Sequence, residues 1–329
     1  MARLDPLLRV VLFAVAIAVG AVPAGAADYP QRPIKLVVPY PPGGGIDPSA
    51  RVFAEGLARV LRAPLVVDNH GGASGRIGTG AVAHAAADGY TLLYGSVAPN
   101  VILPAAYGDR IGYAQDRDLV PIVLLARADY VLLASSSLPV GSVTGLVDYA
   151  RQHPGGVTFA SSGILSGPHL AGELLGRLAG VELTHVPYRG NGPAITALMT
   201  GEVSMAFDSA GGAVAGVRSS GSRVLAVTGG PPLAEFPQAP DLGALYPGHD
   251  VSQWYGLFAV AGTAPEIVAR LAAAAHEAVN DEFVRARFVD MGLRPVLDSS
   301  ADSFRAYVNA EIARYRDIIA RGGIAVPPA

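Results

Sequence analysis

Residues 40–51 read YPPGGGIDPSAR and follow directly on the apolar run IKLVV at 34–38. A β-branched apolar run, three glycines and then Asp-Pro before an amphipathic stretch describe a strand, a tight turn and a helix start. Gly43, Gly44 and Gly45 carry no Cβ, so the backbone reaches positive φ and lets a ligand approach its N–H groups. Asp47 suits an N-cap and Pro48 the first helical position, where no N–H is needed. Backbone donors gathered at the positive end of a helix suit a small anion. No lysine follows the glycines, so this is not the GxxxxGK phosphate loop, and the spacing is not GxGxxG either. The same residues serve equally as a strand-to-helix turn with no ligand.

Outward from this turn, apolar strand-like runs alternate with amphipathic helix-like runs, the pattern of βαβ units and parallel sheets. The pattern predicts strands at 34–39, 65–68, 90–95, 122–127, 130–135, 157–160, 183–187, 203–207, 224–228 and 254–260. Helices are expected at 48–61, 77–87, 143–152, 168–179, 193–200, 265–280, 281–291 and 301–321, and a proline-rich connection at 231–247. The fold class is α/β in two lobes, each a mostly parallel sheet flanked by helices. Residues 27–127 with 247–329 would form lobe 1 and residues 128–246 lobe 2. Two crossings between the lobes would make a two-strand hinge with a ligand cleft between them.

The first 26 residues place the protein. Arg3 and Arg9 lead into an apolar stretch from about Val10 to Val22, followed by Ala24-Gly25-Ala26, a small-x-small cleavage pattern. That is a secretory signal peptide, and the apolar stretch is short for a membrane span of about 20 residues. The chain has no cysteine, which excludes disulfides, thiolate metal sites and a lipid-modified N-terminal cysteine. The formal net charge of −3 becomes one unit more negative once the leader, with Arg3, Asp5 and Arg9, is removed. Such a chain is a poor partner for nucleic acid or an anionic membrane. The expectation is an exported protein with no cofactor, monomeric by default.

Four more loops leave strand ends in the same manner. Gly95-Ser96-Val97-Ala98, Ser161-Ser162-Gly163 leading to Ser166-Gly167-Pro168-His169, Tyr188-Arg189-Gly190-Asn191-Gly192-Pro193, and Asp208-Ser209 each offer hydroxyls or N–H groups. In open α/β sheets ligands sit off the carboxyl ends of the strands, so together these loops can hold a carboxylate without a buried cation. Taken singly, each also reads as a capped helix start. Ser162 or Ser166 with His169 and Asp208 contains the residue types of a serine hydrolase, but the elbow G-x-S-x-G is missing. The histidines, His70, His84, His153, His169, His185, His249 and His276, make no metal-binding spacing. Trp254 and Tyr255 read either as aromatic cleft walls or as core.

Six segments carry a resemblance over nearly the whole exported chain: YPQRPIKLVVPYPPGGGID, VVDNHGGASGRIGTGAVAHAAADGYTLLYGS, SSGILSGPHLAGELL, THVPYRGNGPAITALMTGEVSMAFDS, VLAVTGG and WYGLFAVAGTAPEIVARL. In order and spacing they resemble the Bug family of periplasmic solute receptors, the receptor component of tripartite tricarboxylate transporters. The resemblance implies a type II-like periplasmic binding fold closing on a small organic acid: a dicarboxylate, tricarboxylate, acidic amino acid or aromatic acid. It implies membrane permease subunits as partners and no catalysis; the alternatives from the residues are an exported serine hydrolase or a ligand-loaded sensor partner of a membrane kinase.

By the same resemblance the PPGGxxD loop falls on Pro41, Pro42, Gly43, Gly44 and Asp47, and the strand-end serine on Ser96. The second lobe then contributes Ser162, Gly163, Ser166 and His169, followed by Tyr188, Arg189, Gly190 and Pro193, with Asp208 completing the set. Selectivity would rest on side chains such as Tyr40, Ala98, Tyr188 and Trp254. Two departures stand out. His70 and Gly71 replace the arginine and proline usual in the family, and Val260 stands where proline is common. The first removes a charge from the cleft rim and loosens the loop.

Overall fold

A computed structural model describes residues 29–43, 45–229 and 233–328. The leader and its cleavage site, and Gly44, lie outside the described residues. The apolar runs form eleven strands in two sheets among the described residues. In the first half of the chain the elements are β1 (Ile34–Val38), α1 (Asp47–Leu61), β2 (Leu65–Asn69), α2 (Arg76–Ala83) and β3 (Thr91–Ser96). A π-turn at Ala98–Ile102 runs into α3 (Leu103–Tyr107), and β4 (Leu119–Ala128) follows. The middle of the chain holds β5 (Tyr130–Ala134), α4 (Val143–Gln152), β6 (Thr158–Ser161), α5 (Gly167–Ala179), β7 (Thr184–Pro187), α6 (Asn191–Thr200), β8 (Met205–Ser209), α7 (Ala210–Ser220) and β9 (Arg223–Val227). The chain ends in β10 (Gln253–Val260), α8 (Pro265–Asn280), α9 (Glu282–Asp290), β11 (Leu293–Pro295) and α10 (Ala301–Gly322).

One sheet has the order β11-β4-β10-β3-β1-β2 and the other β7-β6-β8-β5-β9. The two-lobed α/β class is present, and in each sheet four strands share one direction while the others run against them. β1 pairs parallel with β2 and β3, and β6 with β7 and β8. In the first sheet β10 runs antiparallel between β3 and β4 and β11 antiparallel beside β4, so β10 and β11 oppose β1 to β4; in the second, β5 runs antiparallel between β8 and β9. The cause in the second sheet is the crossing: β4 leads into β5 through Asp129 alone, so β5 starts at the edge where the parallel strands of its sheet end and runs against them.

α7 and β11 carry no local mark in the sequence, nor do the short helices at Gln115–Asp118 and Leu242–Leu245. α7, AGGAVAGVRSS, is glycine-rich and a poor intrinsic helix. It forms because the Ser209 side chain caps it and Ala210 and Ala213 are buried against the five-stranded sheet. β11 is three residues long and ends in proline, which only an edge strand tolerates.

Alternation along β10 divides the core. Trp254 and Phe258 pack under Phe304 of α10, while Tyr255, Leu257 and Ala259 face the layer made by α1 and α8. α8 and α9 pack on α1 in the first lobe; α10 also reaches the second, where Arg177 of α5 donates to the Gly323 carbonyl at 3.0 Å. Among the described residues no helix is long and apolar enough to cross a membrane.

Candidate functional site

The parallel strands of both sheets end on one cavity of about 790 Å³, its solvent-open mouth included. The turn after β1 contributes Tyr40, Pro41, Pro42, Gly43, Gly45 and Ile46, and the turn after β3 contributes Ala98. From the five-stranded sheet come Ser162, Ser166, Gly167 and Pro168, then Arg189 through Pro193, then Ser209. Tyr130, Gln253 and Tyr255 complete the wall. β5 and β10 are antiparallel to their neighbours, so their first residues lie at the edge where the parallel strands put their last.

Helix starts dominate this lining. α1, α5, α6 and α7 all begin on it, and each presents the positive end of its peptide dipoles. Ser166 caps α5 by accepting from the His169 N–H, and Ser209 caps α7 by accepting from the Gly212 N–H. α1 and α6 have no side-chain cap, which leaves first-turn N–H groups for a ligand or water. Arg189 is the one charged side chain among the described residues lining the cavity, and it lies exposed at the mouth.

Most residues expected from the sequence fall on this cavity: Tyr40, Pro42, Gly43, Ala98, Ser162 and Ser166 line it, as do Arg189, Gly190 and Pro193. Gly163 and Tyr188 line an adjoining outer compartment instead, and the Tyr188 hydroxyl is held by Glu202 at 2.7 Å. Asp47, Ser96, His169 and Asp208 lie behind the wall. Ser96 reaches the cavity only through the Tyr40 hydroxyl, 3.1 Å away. Burial pushes that Tyr40 hydroxyl up to about 12, against the lowering effect of its bond to Ser96.

Asp47 is not the helix cap. The cap position is Ile46, already in αR conformation, and Asp47 is the first helical residue. Its carboxylate instead accepts from the Gly43 N–H at 3.0 Å, Asn69 Nδ2 at 2.9 Å and Arg51 Nε at 3.0 Å, tying the glycine turn to α1 and β2. Burial alone would raise its pKa; the bonds from Arg51, Gly43 and Asn69 outweigh that and hold it below the ordinary value. Ser49 adds a second tie, donating to the Ile46 carbonyl while accepting from the Tyr94 hydroxyl.

Behind the second lobe's loops, Asp208 accepts from Asn191 Nδ2 at 2.5 Å and the Ser209 N–H at 2.8 Å. Burial raises it to about 7 despite those bonds. His169 packs against His185, ring centroids 4.0 Å apart and planes tilted by 32°, and its Nδ1 accepts from the Leu165 N–H. Burial, with His185 beside it, lowers His169 to about 3, and burial lowers His185 to about 4. Ser166 meets His169 only through its backbone N–H, and no side-chain hydrogen bond among the described residues joins Ser166, His169 and Asp208 into a relay.

Trp254 is not a cleft wall; it is fully buried against Phe304 and Tyr307 of α10. Its neighbour Tyr255 takes that place, because successive strand residues face opposite sides. Tyr130 was absent from the sequence reading. Its buried hydroxyl finds no partner among the described residues, and Gly167 leaves room for it: a Cβ there would stand 2.1 Å from the oxygen. No local signal marks Tyr130 or Gln253, since only the reversed strand direction brings them to the cavity.

Comparison with known proteins gives one answer. Residues 49–324 match the family model described as tripartite tricarboxylate transporter family receptor. The chain is 35% identical to Protein BugT of Bordetella pertussis over 96% of this chain and 97% of that one. It is similar to an R. palustris protein solved with adipate: TM-score 0.85, 32% identity, covering 91% of this chain and 99% of that one. It is also similar to MatC of Rhodopseudomonas palustris with bound malate: TM-score 0.82, 31% identity, covering 88% and 100%.

Proposed function

The chain belongs to the tripartite tricarboxylate transporter receptor family, and from that premise we propose that it captures a small carboxylate-bearing metabolite between its two sheets. One observation carries this reading: four helix N-termini converge on a cavity whose described lining has no carboxylate. A carboxylate there accepts from the turn at Gly45, the uncapped starts of α1 and α6, and the Tyr130 hydroxyl. Hydrogen bonds to a charged group contribute about 1.5–3 kcal/mol each. Four of them cover the roughly 8 kcal/mol of a micromolar site after ordering costs. A buried lysine or arginine would cost several kcal/mol unless paired, so peptide donors are the better solvent for the anion.

In this reading residues 27–127 with 247–329 and residues 128–246 close on the ligand as two lobes. The residues expected from the sequence act at two levels. Tyr40, Pro42, Gly43, Ser162, Ser166, Arg189, Gly190 and Pro193 touch the acid, whereas Asp47, Ser96, His169 and Asp208 hold those residues in place. The leader exports the chain to the periplasm, where a monomer delivers its ligand to membrane permease subunits without chemical change. The adipate and malate carried by its two structural neighbours support an acid as the ligand class.

A thermal-shift panel of mono-, di- and tricarboxylates tests this. At least one acid is expected to raise the melting temperature; a rise with neutral sugars or amines and none with acids rejects the reading. Native mass spectrometry of the purified protein is expected to show a co-purified organic acid.

A further inference from the structure

A second compartment adjoins the carboxylate cavity on its outer side and shares Tyr40, Pro41, Pro42, Ser162, Arg189 and Gly190 with it. It is larger, with about 1790 Å³ of empty space including its open side. Its floor is the loop at residues 71–75. Gly72, Ala73, Ser74 and Gly75 all have positive φ (130°, 48°, 54° and 91°), so the loop coils back rather than running across the space. Gly71 sits so close to Pro41 that a Cβ would stand 2.6 Å from its ring. Ser74 reaches over the cleft and donates to the Ile164 carbonyl at 2.7 Å, so the compartment is bounded by both lobes.

Its chemistry is one-sided. Arg76 and Arg189 line it, and its described lining holds no aspartate or glutamate. Neither guanidinium makes a hydrogen bond or an ion pair with any described residue; that of Arg76 acts on the Tyr107 and Tyr113 hydroxyls through its charge. Tyr107, Tyr188, Leu103, Ile164 and prolines supply an apolar surface between the two cations. Cations with no internal partner beside apolar walls match a chain with an anionic far end.

We propose that this compartment is a subsite for the distal anionic group of an elongated diacid, with Arg76 and Arg189 as its specificity-determining residues. The inference rests on the carboxylate reading of the inner cavity. The near carboxylate stays among the helix starts, the hydrocarbon middle passes Pro41 and Pro42, and the far carboxylate meets Arg76 and Arg189.

The test is calorimetric and stopped-flow binding of α,ω-dicarboxylates of increasing length, each beside the monocarboxylate of the same carbon number. Wild type is expected to prefer the diacid over its matched monoacid once the chain is long enough to leave the inner cavity. R76Q is expected to weaken the long diacid about fivefold, through faster dissociation, and the monoacid less than twofold; R189Q, at a residue that also lines the inner cavity, is expected to weaken both, the long diacid more. Unchanged melting temperatures check that both variants fold. Equal losses for mono- and diacids confined to the association rate would show general steering of anions and overturn the subsite. Tight binding of monoacids or short diacids with no gain from length would overturn the subsite and leave the inner site standing. No binding of any acid by wild type would overturn both.

Discussion

The Asp47 carboxylate stands beside the glycine turn rather than on the helix terminus, and that changes what its loss should do. Asp47→Ala removes three hydrogen bonds to a buried anion. It is expected to lower stability by about 2 kcal/mol in chemical denaturation, and to weaken acid binding because the turn is no longer held. Asp47→Asn, which keeps part of the network, should fall between. Asp208 makes the opposite statement about pH. Its native pKa of about 7 lies above the ordinary carboxylate range, so the folded protein binds its proton more tightly than the unfolded chain. Its contribution to stability is full below the ordinary carboxylate pKa and is lost as pH rises to about 7 and beyond. A charged Asp208 behind Asn191 and Ser209 also opposes an anionic ligand. Affinity should therefore fall as pH rises through 7, by up to about tenfold per pK unit that the ligand shifts the group. Titration calorimetry from pH 6 to 8 on wild type and Asp208→Asn checks this; the variant should be flat.

Helix starts carry the chemistry, so their caps are testable as elements. Ser166 holds the first turn of α5 by accepting from the His169 N–H. Ser166→Ala is expected to cost about 1 kcal/mol in urea unfolding. Two rings on neighbouring elements set a separate acid limit. His169 on α5 and His185 on β7 have native pKa values lowered to about 3 and 4, so the unfolded chain takes up protons first as pH falls. The stability they give is complete above the unfolded value near 6.5 and declines as pH drops toward 4. His185→Phe keeps an aromatic ring against Phe159 and removes one of those protons. Its melting temperature should fall less steeply than that of wild type between pH 6.5 and 4. These elements were legible to different degrees. α4 and α8 fall where amphipathic spacing puts them, because their apolar stripes are long and their ends are marked. α7 was not legible, because burial against a sheet overrode a glycine-rich composition.

At the scale of the molecule, the link between the two sheets is the informative place. Asp129 joins β4 to β5, has no solvent exposure, and is held by both guanidinium nitrogens of Arg294 on β11, one bond at 2.6 Å. Arg294 keeps about a third of its side chain in solvent. The two truncations should therefore differ. Arg294→Gln leaves a fully buried carboxylate uncompensated and is expected to cost about 3 kcal/mol, whereas Asp129→Asn leaves a cation that water reaches and should cost about 1. Guanidinium melts of both variants check the order. Ligand acts on the same scale. An acid at a hundred times its Kd should add about 2.7 kcal/mol to the closed form.

The residue order of this chain determined that there are two α/β lobes, where their glycine and serine turns fall, and that those turns offer peptide N–H groups. Those properties are local: period, turn chemistry and the missing Cβ act within a few residues of themselves. Only the tertiary structure decided which groups share the cavity. The single-residue crossing at Asp129 reverses β5, and β10 runs back antiparallel beside β3 and β4. Tyr130, Gln253 and Tyr255 thereby reach the ligand face, and Trp254 goes into the core. Strand direction follows from how the chain crosses between sheets, and that is a fact about packing rather than about any neighbouring residues.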